Sequence, residues 1–402
     1  MAVYADPTHD GRVQREAASL VAAGYDVLLL SLDVADPRVV ETASRAEVVG
    51  WSPATSRVLP GTQSPFNRDD PGTSDAARGG RLGWAVGYAA NLRAWGRWAA
   101  DRGARADLWH VHDFTALVAL WLAGRLGERP FVYDTHELFL EVGSGARMPA
   151  PARSVLATIE GRQARRAARV VTVNQGVADE LVRRYQVEPL VVMNCLPWED
   201  VARPGRLRAA LGLGQRPVLL YHGAVSAGRG IEPAVAALER LPPEVALVVL
   251  GNGSLVPWVR EQQGQPALAD RLYWHPAVPL SELLSWVVDA DLGVALIAPT
   301  ELNFVLSTPN KLFECMTAGV PVIASDFAEM RRIVRGERIG DVCDPANPDL
   351  IAATFARVLG DPAELAAMRR RARTAAQVTY NWTSQARRLV ELYDRIGVAA
   401  TA

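Results

Sequence analysis

Lysine is almost missing from this sequence. Of its 43 Lys and Arg residues only Lys311 is a lysine, and it sits in the stretch "STPNKLFECMTAGVPVIASD". Cysteine is nearly as scarce. Cys195, Cys315 and Cys343 lie far apart, and an odd, scattered set builds neither a disulfide framework nor a zinc site, so a reducing, cytoplasmic setting is expected. Net charge is close to absent, with 44 acidic against 43 basic residues and a formal −1. That leaves no basic field of the kind that draws a chain to nucleic acid. Apolar runs such as "DVLLLSLDV" and "VALVVLG" stop short of the ~18 to 20 residues that span a bilayer. The opening "MAVYADPTHDGRVQREA" lacks the basic start and apolar run of a secretory signal. The first strand has almost nothing before it, so the expectation is that the true start lies upstream. The segment carrying Arg162, Arg165, Arg166 and Arg169 is basic enough to rest on anionic lipid. Peripheral contact at the inner face of a membrane therefore stays open beside a plain solvated helix face. No oligomeric state follows from the sequence.

What is present is an alternation. At 402 residues the chain has room for roughly two or three domains. Short Val/Ile/Leu-rich runs at residues 3–5, 26–32, 108–111, 131–134, 170–173 and 190–193 alternate with helical patterns, and a second series follows at 218–221, 246–250, 272–274, 292–297, 320–324 and 340–343. Such alternation predicts an α/β chain of two tandem, doubly wound parallel sheets. The expected division is an N-terminal Rossmann-like domain over 1–200, a linker over 201–215 where Pro and Gly cluster, a second Rossmann-like domain over 216–380 and a C-terminal helix over 381–402. A loose segment rich in Ser, Pro, Gly and Asp is expected over about 51–80.

Around the single lysine the helix signals are clear. Thr308 reads as a cap, Pro309 as a first-turn residue and Gly319 as the stop. Leu312, Phe313 and Met316 share the packing side, while Asn310, Lys311 and Glu314 form a polar ridge. A helix start presents free N–H groups and a positive dipole end, and a lysine there adds a compact cation for a phosphate. A surface ion pair between Lys311 and Glu314 is the plainer alternative. Upstream, "RPVLLYHGAVSAGRGIEPAVAAL" is a strand, a glycine loop and a helix, with Arg229 as a second cation at the helix mouth. Two such starts after strand C-termini of one doubly wound domain face a single crevice. His110, His112 and Asp113 stand at another strand end, where ligands bind, although Asp113 reads equally well as a cap and His136 as a core histidine. The 11 tryptophans are read as core volume.

These stretches resemble the retaining, nucleotide-sugar-dependent glycosyltransferases of the GT-B fold, especially glycosyltransferase family 4. "HDGRVQREAASLVAAGYDV", "HVHD", "FVYDTHE" and "VVTVN" look like its first domain; "YHGAVSAGRGIEPAVAAL", "VLGNGSL" and "PNKLFECMTAGVPVIASD" look like its donor domain. The resemblance implies two Rossmann-like domains facing a central cleft, with C-terminal helices crossing back to the first. It implies that Arg229 and Lys311 neutralise a donor diphosphate, that Glu314 holds the ribose, and that backbone near Val278 reads the base. Gly223, Ser307, Thr308 and Asn310 fall in the same donor motifs, His136 beside the transferred sugar, and Gly11 with Arg12 against the donor phosphate or the acceptor. His110, His112, Asp113, Glu137 and Asn174 are the acceptor-side candidates. The partners expected are a UDP- or GDP-sugar and a hydroxyl acceptor, on a polysaccharide, a glycolipid or a small metabolite. No Asp-rich Mg²⁺ motif stands out, so no metal or cofactor is expected. Two departures leave the donor sugar open: Leu306 stands where the family commonly has a glutamate and Ala224 where many members have an arginine. A UDP-N-acetylglucosamine 2-epimerase-like isomerase and a non-catalytic nucleotide-sugar binder are the alternatives.

Overall fold

The computed structural model describes residues 1–32, 40–41, 44–51, 76–202 and 205–397. The chain forms two compact units, Met1–Met193 with Gln385–Ala402, and Asn194–Ser384. In the first, β1 (Ala2–Val3), β2 (Leu28–Leu32), β3 (Glu47–Trp51), β4 (Trp109–His112), β5 (Phe131–Thr135), β6 (Arg169–Thr172) and β7 (Pro189–Val191) make a parallel sheet in the order β3-β2-β1-β4-β5-β6-β7. In the second, β8 (Val218–His222), β9 (Ala246–Leu250), β10 (Leu272–His275), β11 (Leu292–Ala295), β12 (Val322–Ser325) and β13 (Gly340–Cys343) make another in the order β10-β9-β8-β11-β12-β13. Every pairing described is parallel.

The sequence pattern explains the layers. Strands such as β8 ("VLLYH") and β9 ("ALVVL") are buried at every position, as parallel strands covered by helices on both faces must be. The second unit's core gathers Leu219, Tyr221, Leu247 and Val249 from the strands with Ile231, Val235, Leu238 and Phe355 from the helices. In each sheet the order reverses once, between β1 and β4 and between β8 and β11. Loops leaving adjacent strands there diverge to opposite faces and open a crevice at the carboxyl ends.

Several expectations are corrected. β3 was not anticipated, because "EVVGW" is short and abuts the loose segment; that segment lies outside the described residues over 52–75, and its end at 76–80 is already helix, the start of α2 (Ala76–Arg102), which follows α1 (Gly11–Ala22). Within the expected linker, Arg206–Leu211 is helical, and the Asp289 carboxylate accepts from the Gly205 and Leu207 amides at 3.0 and 2.9 Å, which ties this stretch to the second unit. Arg169 is on β6 and not on the basic helix Ala150–Arg166. No helix among the described residues is long and apolar enough to cross a membrane.

The turn after β9 depends on glycine. Gly251 has φ +151°, and a Cβ there would stand 1.9 Å from the Gly223 carbonyl oxygen. Gly251→Ala is expected to destabilise the chain by about 2 kcal/mol or more, through strain and backbone displacement together. Urea unfolding measures it; an unchanged midpoint would show that the two loops can separate freely.

Candidate active site

In the first unit the switch point is filled by charge. β5 carries Asp134, fully buried, and α1 brings Arg12 and Glu16, 2 % and 0 % exposed. Arg12 Nε and Nη2 donate to the Asp134 carboxylate at 3.0 to 3.3 Å, Nη1 donates to the Val192 carbonyl at 2.6 Å, and Nη2 pairs with Glu16 at 2.9 Å. Every branch of the guanidinium is used internally. The expectation that Arg12 meets a phosphate or the acceptor is therefore overturned. Gly11 opens α1, where the Asp10 carboxylate accepts from the Arg12 and Val13 amides and caps the helix from within the chain.

β4 delivers His110 and His112, 1 % and 0 % exposed. His110 Nε2 faces Glu16 at 3.4 Å and Asp134 at 3.5 Å, and its Nδ1 hydrogen-bonds the Tyr393 hydroxyl at 2.7 Å. A proton on Nε2 suits two carboxylates and leaves Nδ1 to accept from the tyrosine. His112 Nδ1 lies 3.3 Å from His136 Nε2 and 3.6 Å from Asp134. Both histidines are walled in and cannot touch an acceptor, which corrects their assignment; burial pushes both below the usual imidazole range, for His112 well below. Asn174 is corrected likewise, since it is fully buried and its Oδ1 caps helix Gln175–Tyr185 through the Val177 amide at 2.8 Å.

His136 is different: its side chain is 17 % exposed and sits between two carboxylates, Nδ1 3.4 Å from Asp113 and Nε2 3.4 Å from Asp134. Burial alone would lower its pKa, but Asp113 and then Asp134 outweigh that and hold it at about 10. The ring is an imidazolium. Asp113 opens helix Asp113–Leu122 at φ +61°, a conformation costing about 1 kcal/mol or more for a non-glycine residue. Its carboxylate caps nothing in its own helix; it accepts from the His136 amide at 3.1 Å and faces the ring. Glu137 is half-buried, and its carbonyl accepts from Thr135 Oγ at 2.8 Å. Burial opposes ionisation of Asp134, yet Arg12 and His136 hold it well below the carboxylate range, while burial keeps Glu16 well above it.

Glu16, His110, His112 and Asp134 offer ligand atoms within 4.8 Å of one another. Arg12 already stands against both carboxylates, so the cluster has its cation and a second one there would meet repulsion.

In the second unit the groups line the carboxyl ends of β8 and β11. The helix Asn310–Thr317 buries Leu312, Phe313 and Met316 against the sheet and ends before Gly319 at φ +67°. Thr308 is not its cap: Pro309 occupies that position and no side chain caps the helix. Lys311 lies with Nζ 3.4 Å over the Tyr221 ring. Burial and then the nearby Arg229 push the ammonium down to about 7. Arg229 itself stacks at 4.8 Å over Phe304, just before Gly230, the φ +82° cap of helix Ile231–Leu238. Glu314 is 14 % exposed and bonds His222 Nε2 at 2.7 Å. Gly223, exposed at φ +112°, begins the loop after β8, and Val278 is half-buried in the loop after β10. Asn310 is exposed and accepts from Asn194 at 3.1 Å, and Ser307 Oγ donates to the Phe304 carbonyl at 2.9 Å.

Comparison with known proteins agrees with this geometry. The family model described as "Glycosyl transferase 4-like domain" matches residues 11–196, and "Glycosyl transferases group 1" matches 216–361. The chain is a GT-B glycosyltransferase. It is 29 % identical over 306 residues to D-inositol 3-phosphate glycosyltransferase of Xylanimonas cellulosilytica, covering 71 % of each chain. It is 26 % identical over 404 residues to glycogen synthase of Mycobacterium tuberculosis, covering 95 % of this chain and 89 % of that one. Its fold matches HepE of Anabaena, solved with UDP, at a TM-score of 0.74 and 16 % identity, over 98 % and 99 % of the two chains.

Sequence reading of this glycosyltransferase missed Asp134, Glu16, Tyr221 and His222. Two signals were there: a lone carboxylate inside the apolar run "FVYDT", and an acid four residues after Arg12 on an amphipathic helix.

Because His136 is clamped as a cation, its ring signals in an NMR titration should stay constant between pH 6 and 8.5. In Asp113→Asn the pKa should fall by about one unit or more, as expected on losing an opposite charge at this range. A wild-type midpoint near 6.5 would contradict the clamp.

Proposed function

We propose that this glycosyltransferase moves a sugar from a nucleoside-diphosphate donor, a UDP- or GDP-sugar, to a hydroxyl acceptor with retention and without a metal. The observation that carries the reading is the pair of cations, Arg229 in the loop after β8 and Lys311 on helix Asn310–Thr317 beyond the adjacent strand β11, set so that burial and then the charge of Arg229 push the Lys311 ammonium down to about 7. Two like charges brought this close repel each other, and an anion that joins them relieves the repulsion. A diphosphate is such an anion, and the crevice beyond a switch point is where it is bound.

The chemistry follows from the charges. As the bond between the sugar's anomeric carbon and the diphosphate breaks, the sugar becomes oxocarbenium-like and the leaving oxygen gains negative charge. Arg229 and Lys311 stabilise that charge, the role a bound cation would otherwise fill. Glu314 accepts from the ribose hydroxyls, and backbone near Val278 reads the base. His136, an imidazolium, has no lone pair to take a proton; it supplies positive charge beside the transferred sugar and does not act as a general base. Retention then has the acceptor hydroxyl attack from the face the diphosphate leaves, giving its proton to the departing phosphate oxygen. HepE has been solved with UDP and with UDP-glucose, which favours trying uridine donors first. Inositol 3-phosphate and phosphatidyl-myo-inositol appear in the names of relatives, and a small polyol or a lipid-borne polyol is the acceptor class to test before a polysaccharide.

A thermal-shift panel of UDP-, GDP- and dTDP-sugars tests the donor reading, since a ligand bound only by the folded state raises its stability. A UDP- or GDP-sugar is expected to raise the midpoint in EDTA, and Lys311→Ala is expected to abolish the rise; an equal rise in the variant would remove Lys311 from the site.

The titration of Lys311 adds a pH test. With a free-state pKa of about 7, the ammonium that grips the diphosphate is present below pH 7 and lost above it. Affinity for the nucleoside diphosphate should therefore weaken by up to about tenfold per pH unit between roughly 7.5 and 8.5, and Lys311→Arg should flatten that slope. Calorimetric titration at several pH values measures it.

A further inference from the structure

We propose that His222, at the last position of β8, is a positioning residue that aims the Glu314 carboxylate at the donor ribose; this deepens, and rests on, the reading of Glu314 above. The imidazole is 2 % exposed and its Nε2 lies 2.7 Å from Glu314 Oε2. A carboxylate only accepts, so Nε2 carries the proton and donates. Nδ1 is buried and has no hydrogen-bond partner among the described residues, so the bond to Glu314 is the ring's one polar attachment. Burying a polar ring costs free energy that its hydrogen bonds must offset, so the ring's place depends on that one bond.

The geometry supports a platform. Tyr221 and His222 are consecutive at the end of β8, and Lys311 and Glu314 are three residues apart on one helix face. The Tyr221 ring lies under Lys311 Nζ at 3.4 Å, and His222 bonds Glu314 at 2.7 Å. Tyr221 is itself fixed, its hydroxyl donating to the Ala224 carbonyl at 2.5 Å. One strand end thus sets the direction of both the cation for the diphosphate and the acceptor for the sugar hydroxyls. Glu314 is a three-torsion side chain, 14 % exposed; without the histidine its carboxylate would be free to swing out to water, and ordering it on binding would cost affinity. His222 touches no reacting atom in this scheme and acts through Glu314.

The test is calorimetric titration of the full chain with whichever of UDP and GDP the wild type binds, and with its 2′,3′-dideoxy analogue. The wild type should favour the ribose form by about tenfold, the range of a charge-assisted hydrogen bond. His222→Phe keeps a flat ring without the donor. It should bind the ribose form about tenfold more weakly, bind the dideoxy form as the wild type does, and so lose the preference. His222→Gln, whose amide can reach, should keep most of the preference; His222→Asn, which is too short, should lose it even if the phenylalanine variant misfolds. A merely structural role would weaken both nucleotides equally in every variant, and that result overturns the proposal. Glu314→Ala separates the two readings. If it retains the ribose preference, the ribose role of Glu314 is wrong; if it loses the preference while His222→Phe and His222→Asn keep it, His222 is not what aims the carboxylate.

Discussion

A carboxylate shut away from water must be neutralised by its neighbours, and in the first unit that constraint falls on Asp134. Its two oxygens meet Arg12, His110, His112 and His136. Because Arg12 is anchored at the same time to the Val192 carbonyl, the amino-terminal helix, β4, β5 and the chain after β7 are joined at one buried point. Tyr393 extends that join to the C-terminal segment through His110. Breaking one partner of such a cluster leaves a charge uncompensated, at a cost of several kcal/mol. The partly exposed ring of His136 takes its orientation and its proton from this buried scaffold.

The second unit solves the opposite problem. Here positive charge is laid on aromatic faces: Arg229 rests on Phe304, Lys311 on Tyr221. Aromatic faces attract cations without neutralising them, so the stacking fixes where each charge sits and leaves its sign intact. The first unit sets its charges against one another in a buried cluster, and the second lays two cations against aromatic rings.

Much of this was legible in the sequence. Periodicity showed two parallel sheets because strands buried on both faces read as continuous apolar runs, and "PNKLFE" showed its helix because Leu312, Phe313 and Met316 fall on one side of a 3.6-residue turn. What was not legible is depth. His110, His112 and Asn174 sit at strand ends, where ligands bind, but whether such a residue lies one layer under the surface depends on what covers it. For His110 the cover is Glu16 of α1 and Tyr393, and the sequence neighbourhood says nothing of a cover supplied from some 280 residues away. Arg12 was misjudged for the same reason: a guanidinium reads as a surface cation until its buried acids are known. His222 escaped notice because it closes an apolar strand and takes its meaning from Glu314, 92 residues on.

The scarcity of lysine also has a chemical consequence. An amine held near neutrality is partly unprotonated in ordinary buffers, and the unprotonated form is the nucleophile. In a chain with no other lysine, an acylating or aldehyde reagent has a single ε-amino group to find, and that group sits over the Tyr221 ring at the carboxyl end of β8. The protein carries its own site-selective labelling handle, one that a nucleotide bound as proposed above would shield.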